Sequence, residues 1–400
     1  MTNELKNVPE LRFPEFDGEW EKKDFYKCVE IDSKLVNPRL PEYQNLPHIG
    51  PGNIQKNTGR ILNYNLVKDE NLISGKFEFN DGDIIYGKIN PQLQKICAPR
   101  FKGLASADSY PIKPIKEISN MKFIYYSLFT SRFFKYSVSV SMRTGMPKIN
   151  RDELGGYKFY TTLLSEQQKI GEFFSKLDRQ IELEEQKLAK LEEQKKGYMQ
   201  KIFSQELRFK DANGNDYPDW KKEKLDNILE FESERTKVEN EYPVLTSSRN
   251  GLILQSEYYK EGKTFADSNI GYFIIPKGYI TYRSRSDDGK FQFNLNNIID
   301  VGIVSKYYPV FRGINMNQSF LTMLMNHQLK KEYIKFATGT SQLVLSQRNL
   351  REISTELPIT EEQEKIGNFF DKQNSLIEKQ SSKIGVLKQR KKGFLQKMFV

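Results

Sequence analysis

The stretch YRSRSDDGKFQFN, Tyr282–Asn294, sets Arg283, Arg285, Lys290 and Gln292 around a glycine turn. An arginine fork can donate two parallel hydrogen bonds to a guanine edge, a glutamine can pair with adenine, and a lysine holds a phosphate as a point charge. The chemistry such a loop offers is recognition of a nucleic acid, and Tyr282 at its start is counted with it. Earlier in the chain YGKINPQLQK, Tyr86–Lys95, holds the equivalent place with Lys88, Asn90, Gln92, Gln94 and Lys95. Two more loops are candidates of the same kind: SMRTGMPK (Ser141–Lys148), with Arg143 and Lys148, and TGTSQ (Thr338–Gln342), with Thr340 and Gln342. Arg249 joins the set. For each loop an exposed basic turn without a nucleic-acid role is the competing reading, and the sequence does not say which side chain meets a base and which a phosphate.

Residues for other chemistry are scarce. The 400 residues include only two histidines, His48 and His327, and two cysteines, Cys28 and Cys97. That is too few for a structural zinc site or for a histidine-activated nucleophile, and two distant thiols suit a reducing cytosol. EGKTF, Glu261–Phe265, contains Gly-Lys-Thr, but the earlier glycine of a phosphate loop is replaced by Glu257. PDWKKEK, Pro218–Lys224, is spaced too tightly for a nuclease acid pair, and Asp287-Asp288 before Gly289 reads as a solvated turn rather than a metal site. NPQL, Asn90–Leu93, lacks the second proline and the aromatic of a methyltransferase motif. No catalytic residue, metal ligand or cofactor site is therefore expected in this chain. A net charge of +10 and a pI near 9.1 favour a polyanionic partner. No apolar run approaches the roughly 20 residues that span a bilayer. The start, MTNELKNVPELRF, lacks the apolar core of a signal peptide, so a cytoplasmic protein without a membrane partner is expected.

The elements that position these loops come twice. QQKIGEFFSKLD, Gln167–Asp178, is nearly restated by QEKIGNFFDKQN, Gln363–Asn374, at a constant offset of 196 residues. At the same offset KKGYMQKIF (Lys195–Phe203) matches KKGFLQKMF (Lys391–Phe399), and PELRF (Pro9–Phe13) matches QELRF (Gln205–Phe209). Trp20 and Trp220, the only tryptophans, follow each ELRF. The segments between keep only a skeleton: Gly-x-Ile-x-Tyr in GDIIYGK (Gly82–Lys88) and GYITYRS (Gly278–Ser284), and Gly-x-x-Ser…Tyr-Pro after Gly103 and Gly302. Alternating β-branched and aromatic residues closed by Gly and Pro predict strands. Helical stretches follow at Met121–Ser137 and Ser319–Ala337. Each variable part is thus an α/β globule of about 150 residues, an ordinary domain size.

The repeated helices carry a seam of alternating four and three spacing. It runs through Ile170, Phe174, Leu177, Ile181, Glu184, Leu188, Leu191 and Lys195 in the first, and through Ile366, Phe370, Gln373, Ile377, Gln380, Ile384, Leu387 and Lys391 in the second. A sustained 3.5-residue period predicts a coiled coil. Spacing alone leaves its direction open. For an antiparallel pair the polar seam positions suggest a register in which Glu184 faces Lys391, Lys195 faces Gln380 and Leu188 faces Leu387.

The paired EQxxI…FF…KKGxxQKxF helices, the two ELRF…Trp segments and the two Gly-x-Ile-x-Tyr skeletons resemble the specificity subunits of type I restriction–modification enzymes. The resemblance covers essentially the whole chain. It implies an α/β (α+β) fold of two target-recognition domains separated by two long helices that form an antiparallel coiled coil. On that scheme the first target-recognition domain covers residues 1–160 and the first conserved helix 161–204. The second domain covers 205–357 and the second helix 358–400. The resemblance further implies that each domain reads one half of a bipartite asymmetric site in double-stranded DNA. The coiled coil would set the spacer and dock two modification (adenine methyltransferase) subunits, with restriction/translocase subunits as further partners. S-adenosylmethionine, ATP and Mg would belong to those partners. A stand-alone DNA-binding regulator and a structural coiled-coil protein are the alternatives.

Overall fold

The computed structural model describes residues 7–142, 145–258 and 268–400. The chain divides into two compact units, Met1–Gln186 with Ser381–Val400, and Lys187–Gln380. The long helices, Leu164–Phe203 and Thr360–Lys397, each run through the division, so every unit holds a globule and part of both helices.

In the first unit a ribbon of Glu21–Asp24 against Lys158–Thr161 opens and closes the globule. Inside it, one antiparallel sheet runs in the order Val29–Ile31, Ser109–Pro114, Ile84–Gly87, Ile96–Cys97. A second sheet runs Leu35–Val36, Lys76–Phe79, Gly103–Ala105, His48–Ile49, its last pair parallel. In the second unit the matching ribbon is Lys221–Lys224 against Ser354–Leu357. A four-stranded antiparallel sheet runs Leu229–Phe231, Val310–Gly313, Ile280–Tyr282, Phe293–Leu295. The helical stretch expected over Met121–Ser137 is two helices, Met121–Ser127 and Ser131–Ser141, because the Thr130 side chain caps the second by accepting from the Phe133 N–H. The stretch expected over Ser319–Ala337 likewise divides into Gln318–His327 and Lys330–Phe336.

The twice-written helix starts have a physical reason. Glu166 is fully buried and its carboxylate accepts from Arg12 Nε and Nη2, both at 2.8 Å. In the second unit buried Glu362 accepts from Arg208 Nε at 3.2 Å and Nη2 at 2.7 Å. Each arginine is the one in ELRF, so each clamp ties a lead-in segment to a helix start. Gln167 accepts from the Asn120 N–H at 2.9 Å and donates to the carbonyls of Ile118 and Thr162. Gly171 and Gly367 come next, and here the type is steric. A Cβ on Gly171 would lie 2.6 Å from the Lys122 Cβ, and one on Gly367 would collide with the Asn317 side chain. Asn120 and Asn317 cap the globules' helices, accepting from Phe123 and Phe320 N–H, so only glycine lets the long helix approach those caps.

Ile170, Phe174, Leu395 and Met398 then enter the first core beside Trp20. Ile202, Phe203, Ile366 and Phe370 enter the second beside Trp220. Phe399 meets Trp20 edge-on at 6.2 Å, and Phe203 meets Trp220 edge-on at 6.2 Å.

The seam residues face inward. Ile170, Phe174, Ile181, Ile366, Phe370, Ile384 and Leu387 are buried. Leu177, Glu184, Leu188, Leu191, Ile377 and Lys391 are half-buried. Partners climb one helix as they descend the other, which makes the pairing antiparallel. In the first unit these are Phe173 with Phe394 (5.2 Å), Asp178 with Lys391 (2.5 Å) and Glu184 with Lys383 (2.5 Å). The expected register is corrected here: Glu184 meets Lys383, two helical turns before Lys391. In the second unit Tyr198 packs edge-on against Phe369 at 5.2 Å, and the Glu378 charge on the other helix acts on Lys195. Interlocked rings fix the register, since a partly exposed ion pair contributes only about 0–1 kcal/mol and adapts to whatever register packing selects.

Candidate nucleic-acid interface

In the second globule the backbone brings the two candidate loops together. Arg285-Ser286 pairs antiparallel with Leu343-Val344, directly after the Thr-Gly loop. Gln342 Nε2 donates to Asp287 at 2.7 Å. Arg283, Arg285, Lys290 and Thr340 are exposed, and Gln292 and Gln342 are half-buried. Arg249 arrives from another hairpin, Leu245–Ser248 with Gly251–Leu254, and pairs with Asp288 at 2.9 Å. Asp288 is partly desolvated, which works against its charge. The Lys290 N–H, the Ser286 hydroxyl and the Arg249 and Lys290 charges outweigh this and hold its carboxyl below the usual range. That acid orders the turn, and no metal-holding group of His, Cys, Asp and Glu occurs among the described residues. A depression of about 260 Å³ is lined by Arg283, Arg285, Ser305, Tyr307, Tyr308 and Gln342.

Tyr282 is a correction. It is fully buried, its hydroxyl donates to the Leu345 carbonyl at 2.9 Å, and its ring stacks on Phe293 at 4.6 Å. It therefore holds up the loop from within the core, and burial pushes its phenol well above the ordinary range. Tyr307 is the aromatic on the surface: it is 55% exposed, with the Arg285 guanidinium 5.4 Å from its ring centre. Sequence reading passed over it because it stands beside Tyr308, the tyrosine of the repeated Ser…Tyr-Pro frame.

The first globule makes the same juxtaposition with different bonds. Ile89 bridges Lys148, the Asn90 N–H donates to the Pro147 carbonyl at 2.8 Å, and the Ile149 N–H donates to the Lys88 carbonyl at 3.0 Å. Gln92 and Lys148 are exposed, while Asn90 is half-buried in the left-handed conformation, φ 51°. Arg143 lies outside the described residues, as does the Glu261–Phe265 stretch. Two lysines are turned to internal use. Lys88 donates to the Ala107 carbonyl and lies over the Tyr110 ring at 5.3 Å. Burial, and then the Lys148 charge, pull it below the ordinary lysine range. Lys95 donates to the Pro51 carbonyl at 2.7 Å. Beside this loop lies another that sequence reading missed, Gln55–Arg60, whose Asn57 N–H donates to the Leu93 carbonyl at 3.3 Å. Its signal was a run of amide, hydroxyl and basic residues ending in Gly-Arg, but it has no repeat partner.

The comparisons with known proteins agree with this duplicated plan. The type I restriction modification DNA specificity domain profile matches residues 20–193 and again 217–387. The chain is similar to the specificity subunit of the type I restriction enzyme EcoDI of Escherichia coli, 33% identical over 168 residues. That match spans 42% of this chain and 37% of the relative. With the specificity subunit of MjaVIII of Methanocaldococcus jannaschii it is 24% identical, over 97% of this chain and 93% of the relative. Among solved structures the fold matches the type I restriction-modification S subunit from M. genitalium, with a TM-score of 0.59, 15% identity, and coverage of 98% and 99% of the two chains. A chain from a structure on assembly and conformational transition of the type I system matches with a TM-score of 0.56 at 16% identity, over 94% of this chain and 96% of that one.

Proposed function

The chain belongs to the type I restriction–modification DNA specificity family, and on that premise we propose that each globule reads one half of a bipartite, asymmetric site in double-stranded DNA. The coiled coil sets the length of the unread spacer and, with the twin helix starts, docks two modification (adenine methyltransferase) subunits. Restriction/translocase subunits join the same assembly. The chain is a recognition subunit without an active site of its own, and S-adenosylmethionine, ATP and Mg belong to its partners. Its compartment is the cytoplasm, where its DNA lies.

One observation carries this reading. The clamps, the glycine contacts and the aromatic seats of the helices give the two units the same internal scaffold, and a scaffold built twice can present the same outer surface to two copies of one partner. The surface loops, built on one frame, differ in nearly every basic and amide side chain, as two readers of different sequences must.

The test is to map methylated adenines in the host genome with and without this chain. The expected result is loss of one bipartite motif methylated on both strands. Specific binding by the isolated chain with no change in methylation would instead establish a stand-alone regulator. The spacer has its own test, because DNA turns once in about 34 Å, and lengthening the separation also changes rotational phase. Duplicating one or two turns around Lys195–Ile202 should lengthen the spacer by about one to a few base pairs with both half-sites fixed. An unchanged spacer at full activity would remove the ruler.

A further inference from the structure

The first globule has internal uses for Lys88 and Lys95, so the cations it offers to DNA must come largely from elsewhere. Its Gln55–Arg60 hairpin, bracketed by the Ile54–Ile61 bridge, supplies two of them. Gln55, Lys56, Asn57, Thr58 and Arg60 are all exposed, while Ile54 beneath them is fully buried. The backbone is nevertheless tightly held. The Gln55 N–H donates to the Arg60 carbonyl at 2.9 Å, the Arg60 N–H donates to the Thr58 hydroxyl at 3.2 Å, and Asn57 is tied to Leu93 of the neighbouring loop. Asn57 and Gly59 are left-handed, with φ 61° and 75°, and a Cβ on Gly59 would collide with the Tyr125 hydroxyl. A tip ordered in this way presents amide, hydroxyl and basic groups with little ordering left to do on binding.

Arg60 is also in reserve. Its Nη2 lies 3.2 Å from Glu185 on the first long helix, in a pair whose arginine side chain is 53% exposed. Lys388 holds the other oxygen of Glu185 at 2.6 Å. Arg60 can therefore leave for a nucleic acid without stranding the carboxylate, and a solvent-exposed pair resists that departure weakly.

We propose that the Gln55–Arg60 hairpin is a specificity-determining element of the first globule, reading base edges of its half-site beside the 88–95 loop; this rests on the reading that the globule binds DNA. In the second globule a different hairpin reaches the loop cluster, where Arg249 at its tip pairs with Asp288.

The test uses the complex with its modification subunits on duplexes randomised at both half-sites, with sequencing of the methylated products. For the double variant Lys56→Ala, Arg60→Ala, base preference should fall on the order of tenfold or more at one or two positions of one half-site. Preference in the other half-site should stay intact, which reports a folded complex. Arg60→Lys keeps the charge and loses the fork, so it should relax the same position while overall methylation persists. Unchanged preference at every position, or a uniform decrease across all sequences, would overturn the proposal. Exchanging residues 20–148 for those of a relative separates the two levels of failure. If the exchange alters one half-site while the hairpin variants alter none, the hairpin proposal fails and the function stands. If the exchange alters neither, the functional reading fails.

Discussion

The two globules put their basic side chains to opposite uses on one frame. In the first, Lys88 and Lys95 face inward and donate to carbonyls of their own fold. In the second, Arg283, Arg285 and Lys290, on the loop after the matching strand, face solvent. The clamps beneath the globules show the reverse pattern, since Arg12–Glu166 and Arg208–Glu362 are nearly superposable in chemistry. The framework is built alike in the two halves, whereas the loops are not. A side chain's type in an aligned loop therefore does not reveal its job, because the same position can hold up a loop in one half and face a ligand in the other.

The sameness is the easier half to break, and the effect should be large. Arg12→Ala leaves Glu166 buried without its cation, and Arg208→Ala does the same to Glu362. Removing one partner of a buried pair costs roughly 3–5 kcal/mol. Both variants should lose stability in urea by similar amounts. Replacing both partners with apolar residues, Arg12→Met with Glu166→Leu, should recover most of the loss. A large loss in one unit and none in the other would show that the clamps are not equivalent.

The divergence is tested by a pair of single substitutions. Arg285→Ala removes an exposed fork, so stability should change by less than about 0.5 kcal/mol. Base discrimination in one half-site should fall by about 1–3 kcal/mol. Lys88→Met removes a donor that satisfies the Ala107 carbonyl, so about 1–2 kcal/mol of stability should go. Base preference should hold wherever the protein stays folded. Methylation profiles on randomised duplexes, read beside unfolding curves, separate the two. If Lys88→Met relaxes a half-site as strongly as Arg285→Ala, the contrast drawn between the globules is wrong.

Much of the framework was legible because its residues are chosen by type. A buried glutamate facing an arginine, and a glycine under an asparagine cap, tolerate few substitutes, so the 196-residue repeat survives there. The helical register was not legible. A 3.5-residue seam says which face is buried, but the partner along it is chosen by where Phe173 meets Phe394 and Tyr198 meets Phe369. Tyr282 was misassigned to the interface although its twin held the answer: the tyrosine of Gly-x-Ile-x-Tyr is also buried in the first globule, as Tyr86. Both lie on inner strands of their sheets, where every residue is buried. The Gln55–Arg60 hairpin stayed hidden for the opposite reason, since it lies where the halves have diverged and no repeat marks it.

The smallest expected effect tests whether the first globule's hairpin is held back by the helix next to it. Glu185 on that helix pairs with Arg60 at 3.2 Å and with Lys388 at 2.6 Å. Glu185→Gln keeps the shape and removes the charge, which weakens the hold on Arg60. Such partly exposed pairs contribute about 0–1 kcal/mol. The assembled complex should therefore bind cognate duplex up to about fivefold more tightly at low salt, and the gain should shrink as salt screens the pair. Removing any acid near DNA reduces general repulsion, so a gain alone decides nothing. The double variant Glu185→Gln, Arg60→Ala makes the distinction. If Glu185 acts by holding Arg60, the gain disappears in the Arg60→Ala background. If it persists there undiminished, the acid acts only through the general field, and the hairpin is not restrained by the helix.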